Sequence, residues 1–518
     1  MKIHTTLEAV GATLLLFPGY LPLLSTSNRA LYHHGLPVTN LIGGFLVDLL
    51  GVALLVSGFL VAIQYLPAAV QGILRALFVG FMLWRIVDLS ISLLSNSDSP
   101  VFWWYYARKQ SCIVILLLSA ILAYFLPHIT QPAVRVVRLV VAALAFSAFW
   151  IVPQLLHLAL VRPLDESSAR NHPPTLTLSG PNRRIVWILF DELSYDQTFD
   201  HQAFGIELPN FDQLRARSVS FSQLKPAGFY TERIIPSLFS GRRIDQIRST
   251  VDGDLWYKDP SQNRWFAYDP RITLFAVAQQ NGWSSGIDGW YNPYCHILAS
   301  VLNVCSWEPY DSSIFTAEAF GASEEKSILA NAAILPTMFL ANLTNRNAAP
   351  ANAHIQEYIT VVARTHALIQ NDQVNFVFLH IPAPHPPGIY DRLRHVLRPG
   401  GTYLDNLVLA DDTLGTLLKE IDMTPSASRT TLIVSSDHSW RIPLWRPARD
   451  WSAEEERASG GRFDDRPVLL IHFPGQNSGD DVNSAQPELL EHDIIAGMLL
   501  GKINNSGDLA AFLTLHSR

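Results

Sequence analysis

The chain changes character near residue 162. Before that point apolar residues run together in long blocks. After it they come in short bursts separated by polar stretches. Five apolar blocks stand out, near 9–25, 41–65, 68–94, 111–129 and 138–161. Most reach the roughly 20 residues that a helix needs to cross a bilayer. The pattern therefore predicts an α-helical transmembrane bundle of about five spans over 1–162. The first block is short and follows Lys2, but further spans follow it and no small-residue cleavage site does. It reads as an uncleaved span rather than a signal peptide. Between the third and fourth blocks lies VFWWYYARK, whose Trp103, Trp104, Tyr105 and Tyr106 suit the headgroup level of a membrane. Asp48, Arg85 and Asp88 are charges inside spans. Arg85 and Asp88 are three apart on one helix face and can pair, either at a lipid-headgroup site or, as the favoured reading, as packing between helices. With the N-terminus inside, Lys2, Arg75, Arg135 and Arg138 fall inside and five spans carry the rest of the chain outside.

Residues 163–182 are polar and rich in Pro and Ser and read as a linker. Over 183–518 short β-rich runs appear at IVWILF (185–190), SSGI (284–287), NFVFLHI (375–381), TLIVSS (431–436) and PVLLIHF (467–473). Helical patterns such as NFDQLRARS, TLFAVAQQN and NLVLADDTLGTLLKEI lie between them. Strands alternating with helices predict an α/β domain with a mostly parallel sheet sandwiched by helices.

Composition agrees with a divided chain. Of 518 residues, 49% are hydrophobic and 16% charged, well below the roughly 25% charged of soluble proteins. A formal net charge of −7 without a basic run argues against a nucleic-acid partner. Three cysteines occur, Cys112 in an apolar block and Cys295 and Cys305 in the α/β part. No CxxC pair marks a structural zinc site. Cys295 and Cys305 form either a disulfide, if the domain sits in an oxidising compartment, or two buried thiols.

In open α/β sheets, ligands bind beyond the carboxyl ends of strands. IVWILF runs into Asp191 and Glu192, TLIVSS into Asp437 and His438, and NFVFLHI into Pro382 and His385. One strand-end carboxylate with an Asp-His pair at another is a mixed oxygen and nitrogen donor set suited to a divalent metal. A fourth element, GFYTERIIPSLFSG, places Thr231 at the start of a helical stretch ending at Ser240-Gly241. Free backbone N–H groups there attract phosphate or sulfate, and a metal on the hydroxyl favours its nucleophilic form. Each residue alone also has a structural reading, as a turn or a helix cap.

Taken in order, IVWILFDEL, LPNFDQLRARSVSF, TERIIPSLFSG, FLHIPAPHPP, ADDTLG, VSSDHSW and RPVLLIHFPG resemble the alkaline phosphatase/sulfatase superfamily over about residues 184–500. The resemblance implies Asp191 as the first metal ligand, Thr231 as nucleophile and ligand, and Asp437 and His438 as the late ligand pair. It further implies a divalent ion (Mn, Zn, Mg or Ca), with His385 contacting the transferred group or a metal. His380 reads as a strand-end residue, Asp411 and Asp412 as structural, and Trp440 and Arg441 as neighbours of the pocket. Thr231 is followed by Glu-Arg-Ile-Ile-Pro, whereas sulfatases carry Cys or Ser in a Cys-x-Pro-x-Arg context.

Several apolar spans ahead of such a domain look like the membrane phosphotransferases, among them lipoteichoic acid synthases and phosphoethanolamine transferases. Several of those groups have Glu where this chain has Asp191. The resemblance implies a multi-pass protein of the inner (plasma) membrane with an extracytoplasmic catalytic domain. It would act on phosphate-type esters of a membrane lipid or envelope glycan, by transfer or hydrolysis. The alternatives are a sulfatase-like hydrolase or phosphodiesterase, and a non-catalytic envelope-assembly protein.

Overall fold

A computed structural model describes residues 3–17, 39–94, 102–160, 181–203, 205–249, 255–309, 326–334, 348–448 and 450–516. Apart from 181–182, the expected linker lies outside these residues. The chain forms two compact units.

The N-terminal unit contains helices α1 (Ile3–Leu16), α2 (Thr39–Ala62), α3 (Ala68–Leu94), α4 (Phe102–Phe125), α5 (Pro127–Leu144) and α6 (Ala148–Leu160). Among the described residues three helical stretches are long and apolar enough to cross a membrane, Thr39–Tyr65, Ala68–Ile91 and Thr130–His157. The sequence pattern predicts about five over 1–162, part of which lies outside the described residues. The first block yields a helix of 14 residues, with Pro18 and Gly19 following in the sequence. The fourth block lies in α4, where Gln110–Phe125 is a shorter apolar stretch, and Phe102–Lys109 is helical too, where the sequence suggested an interfacial connection. Ala12, Leu15, Met82 and Val141 pack inside the bundle, while Leu54, Leu55, Phe146 and Phe149 face outward, as lipid contact requires. Arg85 pairs with Asp88 and donates through Nε to the Leu15 carbonyl at 3.0 Å, the packing role between helices. Glu8 and Arg138 form a second, two-pronged ion pair at 2.7 and 2.6 Å. The segment 326–334 also belongs to this unit. It lies against Gly43 and Gly44 of α2, where an added Cβ would come within 2.8 Å of Ile328 and Asn331 side-chain atoms.

The second unit is built on an eight-stranded sheet. Its strands are β1 (Arg184–Phe190), β2 (Val219–Phe221), β3 (Ser285–Tyr291), β4 (Val304–Pro309), β5 (Phe376–Ile381), β6 (Thr430–Ser436), β7 (Leu469–His472) and β8 (Asp480–Val482). The spatial order is β8-β2-β7-β6-β1-β5-β3-β4. All neighbouring strands pair in parallel except β7, which runs antiparallel between β6 and β2.

Every residue of β1 is buried, as expected of a central strand covered on both faces. Ile185, Trp187 and Leu189 enter one core, with Phe239, Phe275 and Phe378. Val186, Ile188 and Phe190 enter the other, with Phe211, Trp290 and Leu407. The helices that bear on the site are α7 (Pro209–Arg215), α8 (Thr231–Ser240), α9 (Ala348–Ile369), α10 (Tyr403–Met423) and α11 (Leu490–Leu499). Asp411 and Asp412 lie inside α10. Asp411 accepts from the backbone N–H groups of Asn210 (3.3 Å) and Phe211 (2.9 Å), capping α7 from outside. Gly415 admits the Asn210 side chain, which an added Cβ would meet at 2.5 Å. The anticipated structural role of this pair thus has a definite form. Cys295 and Cys305 are joined as a disulfide beside β3 and β4.

Candidate active site

Strand register brings the site together. In β1, Leu189 pairs with Ser435 of β6 and with His380 of β5, and Phe190 pairs with Ser436 and Ile381. The next residues, Asp191 and Asp437, therefore leave adjacent parallel strands side by side at the carboxyl edge. Thr231 comes from a separate element as the first residue of α8. The chain enters that helix extended at Tyr230 and leaves it through Gly241 at φ +66°, a left-handed stop that glycine adopts without strain.

Four sequence-predicted residues converge. Thr231 Oγ1 lies 3.3 Å from Asp191 Oδ2 and 3.1 Å from His438 Nε2. His438 Nε2 lies 3.1 Å from Asp437 Oδ2 and 3.9 Å from Asp191 Oδ1. All four side chains are buried. Each carboxylate has one anchored and one open oxygen. Asp437 Oδ1 accepts from the backbone N–H groups of Glu192 (3.1 Å) and His438 (2.9 Å), and Asp191 Oδ2 is held by Thr231 and by His380 Nε2 at 3.2 Å. Asp437 Oδ2 and Asp191 Oδ1 make no hydrogen bond, although the first lies close to the His438 ring.

His438 Nδ1 sits 3.0 Å from the Ser439 carbonyl oxygen. A carbonyl only accepts, so Nδ1 carries a hydrogen and Nε2 is the ring atom that faces Thr231 and the carboxylates. Burial opposes a charged ring, but the Asp437 carboxylate outweighs it and raises the His438 pKa. Two buried carboxylate oxygens without a hydrogen bond beside an imidazole nitrogen form a donor set that fits a divalent cation, which would take the place of a proton on Nε2. The donor atoms of Asp191, Asp437 and His438 lie within 4.8 Å of one another. Burial, and then the neighbouring Asp437, holds the Asp191 carboxyl well above the usual carboxylate range. A cation between them would remove that repulsion.

His385 is brought to the same region, with Nε2 3.8 Å from Glu192 Oε2 and the ring packed edge-on against Trp290 and Trp445 at 5.0 and 5.3 Å. Burial pushes its pKa well below the ordinary histidine value, so the ring is neutral. Asp191, Glu192 and His385 form a second close group of donor atoms. Glu192, however, is already engaged. Its Oε1 accepts from Arg441 N (2.8 Å), Arg441 Nε (3.0 Å) and Trp445 Nε1 (2.6 Å). The first set, with its open oxygens, is therefore the better cation site.

Three neighbours carry more than the sequence indicated. His380 is a member of the cluster: its Nδ1 accepts from the Tyr294 hydroxyl at 2.8 Å while Nε2 faces Asp191. Burial lowers its pKa to about 4, which matches that neutral tautomer. Glu192 adopts φ +69°, rare for a residue with a Cβ. Arg441 is buried against it, with its guanidinium 5.9 Å from the Tyr230 ring and 5.8 Å from the Trp445 ring. Trp440, by contrast, stacks between Tyr403 (4.3 Å) and Trp451 (5.1 Å) in the core. Arg233 lies over Tyr230 at 5.2 Å. An Asp-Glu step after a strand is visible in the sequence, but nothing in it pairs Glu192 with a residue 249 positions away.

Comparison with known proteins bears on this geometry. The sulfatase family model matches residues 183–487, more than half of the chain. No curated protein matches it. Similar solved structures include Ps i-CgsB in complex with k-i-k-neocarrahexaose, at 16% identity and TM-score 0.41, covering 63% of this chain and 74% of that one. The phosphonate monoester hydrolase of Agrobacterium radiobacter is 13% identical at TM-score 0.38, covering 61% and 73%. Murine ectonucleotide pyrophosphatase/phosphodiesterase 5, solved as an inactive variant with AMP, is 14% identical at TM-score 0.35, covering 62% and 96%. On the extent of the family match, with the parallel sheet and strand-end cluster beneath it, the chain belongs to the sulfatase family.

Proposed function

We propose that this protein is a membrane-bound, metal-dependent enzyme that transfers or hydrolyses phosphate-type esters of a membrane lipid or envelope glycan, with Thr231 as its nucleophile. The observation that carries this reading is the placement of Thr231 Oγ1, 3.3 Å from Asp191 and 3.1 Å from His438 at the start of a helix. Asp191, Asp437, His438 and Thr231 would hold a divalent ion (Mn, Zn, Mg or Ca), which when bound supplies Lewis-acid charge for the ester oxygens. Thr231 Oγ forms a bond to phosphorus as the bond to the leaving alcohol breaks. His385, neutral in the fold, hydrogen-bonds the phosphoryl group through a ring N–H. Arg441, held by Glu192, supplies a fixed positive charge near the anionic group. Water or an acceptor hydroxyl then takes the group from Thr231 and restores it.

Three apolar helices and the Cys295–Cys305 disulfide support a multi-pass protein of the inner (plasma) membrane whose catalytic unit faces an oxidising, extracytoplasmic space. The family match favours a second reading, hydrolysis of a sulfate ester. Thr231 stands where sulfatases carry the Cys or Ser that becomes formylglycine, so that mechanism would need another nucleophile.

The test uses the full chain in detergent, with and without Thr231→Ala, on an aryl phosphodiester and an aryl sulfate, with bound metal measured. Thr231-dependent phosphodiester cleavage by metal-loaded protein is the expected result. Thr231-dependent cleavage of the sulfate alone would transfer the assignment to the second reading. Phosphodiester cleavage untouched by Thr231→Ala would refute the nucleophile.

A further inference from the structure

His385 lies in the short loop after β5, and its backbone carbonyl is held from two sides. From α9, His354 places Nε2 3.2 Å from the His385 carbonyl oxygen. That oxygen only accepts, so His354 Nε2 carries a hydrogen. The other ring nitrogen, Nδ1, faces Glu357 Oε2 at 3.0 Å, and the same carboxylate oxygen accepts from Trp290 Nε1 at 2.9 Å. From α10, Asn406 Nδ2 donates to the His385 carbonyl at 2.9 Å and to the Pro387 carbonyl at 3.0 Å, while its Oδ1 accepts from Ile389 N at 2.8 Å. His354, Glu357 and Asn406 are all buried.

The ring of His385 is fixed by the same group of residues. Trp290, bonded to Glu357, packs edge-on against it from one side. Trp445 packs against it from another and donates to Glu192 at 2.6 Å. The His385 imidazole is therefore set relative to Glu192 through aromatic rings that are themselves hydrogen-bonded. Burying polar side chains is unfavourable, and apolar packing would hold a loop at less cost. Two buried polar groups, His354 and Asn406, converge on the backbone of one histidine instead, with Glu357 behind the first, and fix its orientation.

We infer that His354, backed by Glu357, and Asn406 are positioning residues that aim the His385 ring at the transferred group. This rests on the reading of the site given above. They do not touch the substrate. They act by removing the freedom of the loop that carries His385.

The experiment compares the full chain in detergent with His385→Ala, His354→Gln, Glu357→Gln and the double variant His354→Gln/His385→Ala. For each, kcat and KM on the aryl phosphodiester, affinity for inorganic phosphate and bound divalent metal are measured. His385→Ala is expected to lower kcat by about 100-fold, the scale of a lost hydrogen-bond donor to the charged transition state. His354→Gln and Glu357→Gln are expected to lower it about 10-fold through misplacement, with KM and metal content unchanged and phosphate affinity weakened in the same order. The double variant is expected to be no slower than His385→Ala, because both changes remove one function. Glu357→Gln keeps shape and an acceptor oxygen, so it carries the test if His354→Gln does not fold. The inference fails if both positioning variants keep kcat and phosphate affinity near the parent value, or if the double variant loses the product of the two single effects. A His385→Ala chain as active as the parent would overturn the reading of the site, and the inference with it. A slow His385→Ala beside unaffected positioning variants would overturn the inference alone.

Discussion

Glu491 offers the sharpest stability test, because it is a wholly buried carboxyl that is not among the residues assigned to the candidate site. It lies on α11, and neither of its oxygens has a hydrogen-bond partner of good geometry. Burial pushes its pKa up to about 8, against a smaller opposing effect from nearby Ser435 and Trp187, which bond each other at 2.8 Å. A raised folded pKa means that the folded chain holds a proton the unfolded chain gives up. The stability tied to this group is fully present below the unfolded value near 4.5 and is lost as pH rises toward about 8. At about 1.4 kcal/mol per pH unit, the loss between pH 5 and pH 8 is on the order of 3–4 kcal/mol, an upper figure for a site that can relax. Glu491→Gln carries no titrating group, so relative to the parent it should gain about that much between the two pH values. Its constant cost as a buried amide cancels in the comparison. Thermal unfolding of the full chain in detergent, followed by tryptophan fluorescence at pH 5 and pH 8, reads the difference directly. Glu488 nearby is also held well above its ordinary value by burial, and Glu488→Gln serves as the parallel control. If the parent and Glu491→Gln curves shift with pH by the same amount, the carboxyl is not protonated in the fold and the reasoning is wrong.

Other perturbations test the supports of the site. Gly241→Ala places a Cβ at φ +66°, 2.6 Å from the His492 ring, and should cost at least about 1–2 kcal/mol in chemical denaturation. Asp411→Ala leaves two N–H groups at the start of α7 without their acceptor. It should lower stability by about 2–3 kcal/mol while leaving metal content unchanged. Cys305→Ala opens a disulfide of sequence separation 10, worth about 2–3 kcal/mol by loop-closure entropy. In the parent chain expressed in intact cells, Cys295 and Cys305 should resist thiol labelling until a reductant is added. Ready labelling without reductant would count against an extracytoplasmic domain.

The amino-acid sequence by itself determined the α/β class and the strands that carry the chemistry. It did so because buried parallel strands are local signals. IVWILF, NFVFLHI and TLIVSS need no partner to be recognised, and Asp191, Asp437 and His438 are legible because they follow such runs directly. The sequence placed 326–334, which belongs to the N-terminal unit, in the α/β domain. Span number was less legible. Hydropathy registers apolar length, and within α4 the charges of Arg108 and Lys109 shorten the apolar run without ending the helix.

Tertiary structure alone decided which polar residues share a site. Thr231 meets Asp191 across 40 positions and His438 across 207, a closure set by strand register and by the seating of α8. His380, an ordinary strand residue in the sequence, faces Asp191 because β5 pairs with β1 in that register. Arg441 is committed to Glu192, and His354 to the His385 carbonyl, through contacts that no local pattern encodes. Such pairings arise from packing between elements distant in the chain, where burial makes each unmet polar group costly and so selects the partner.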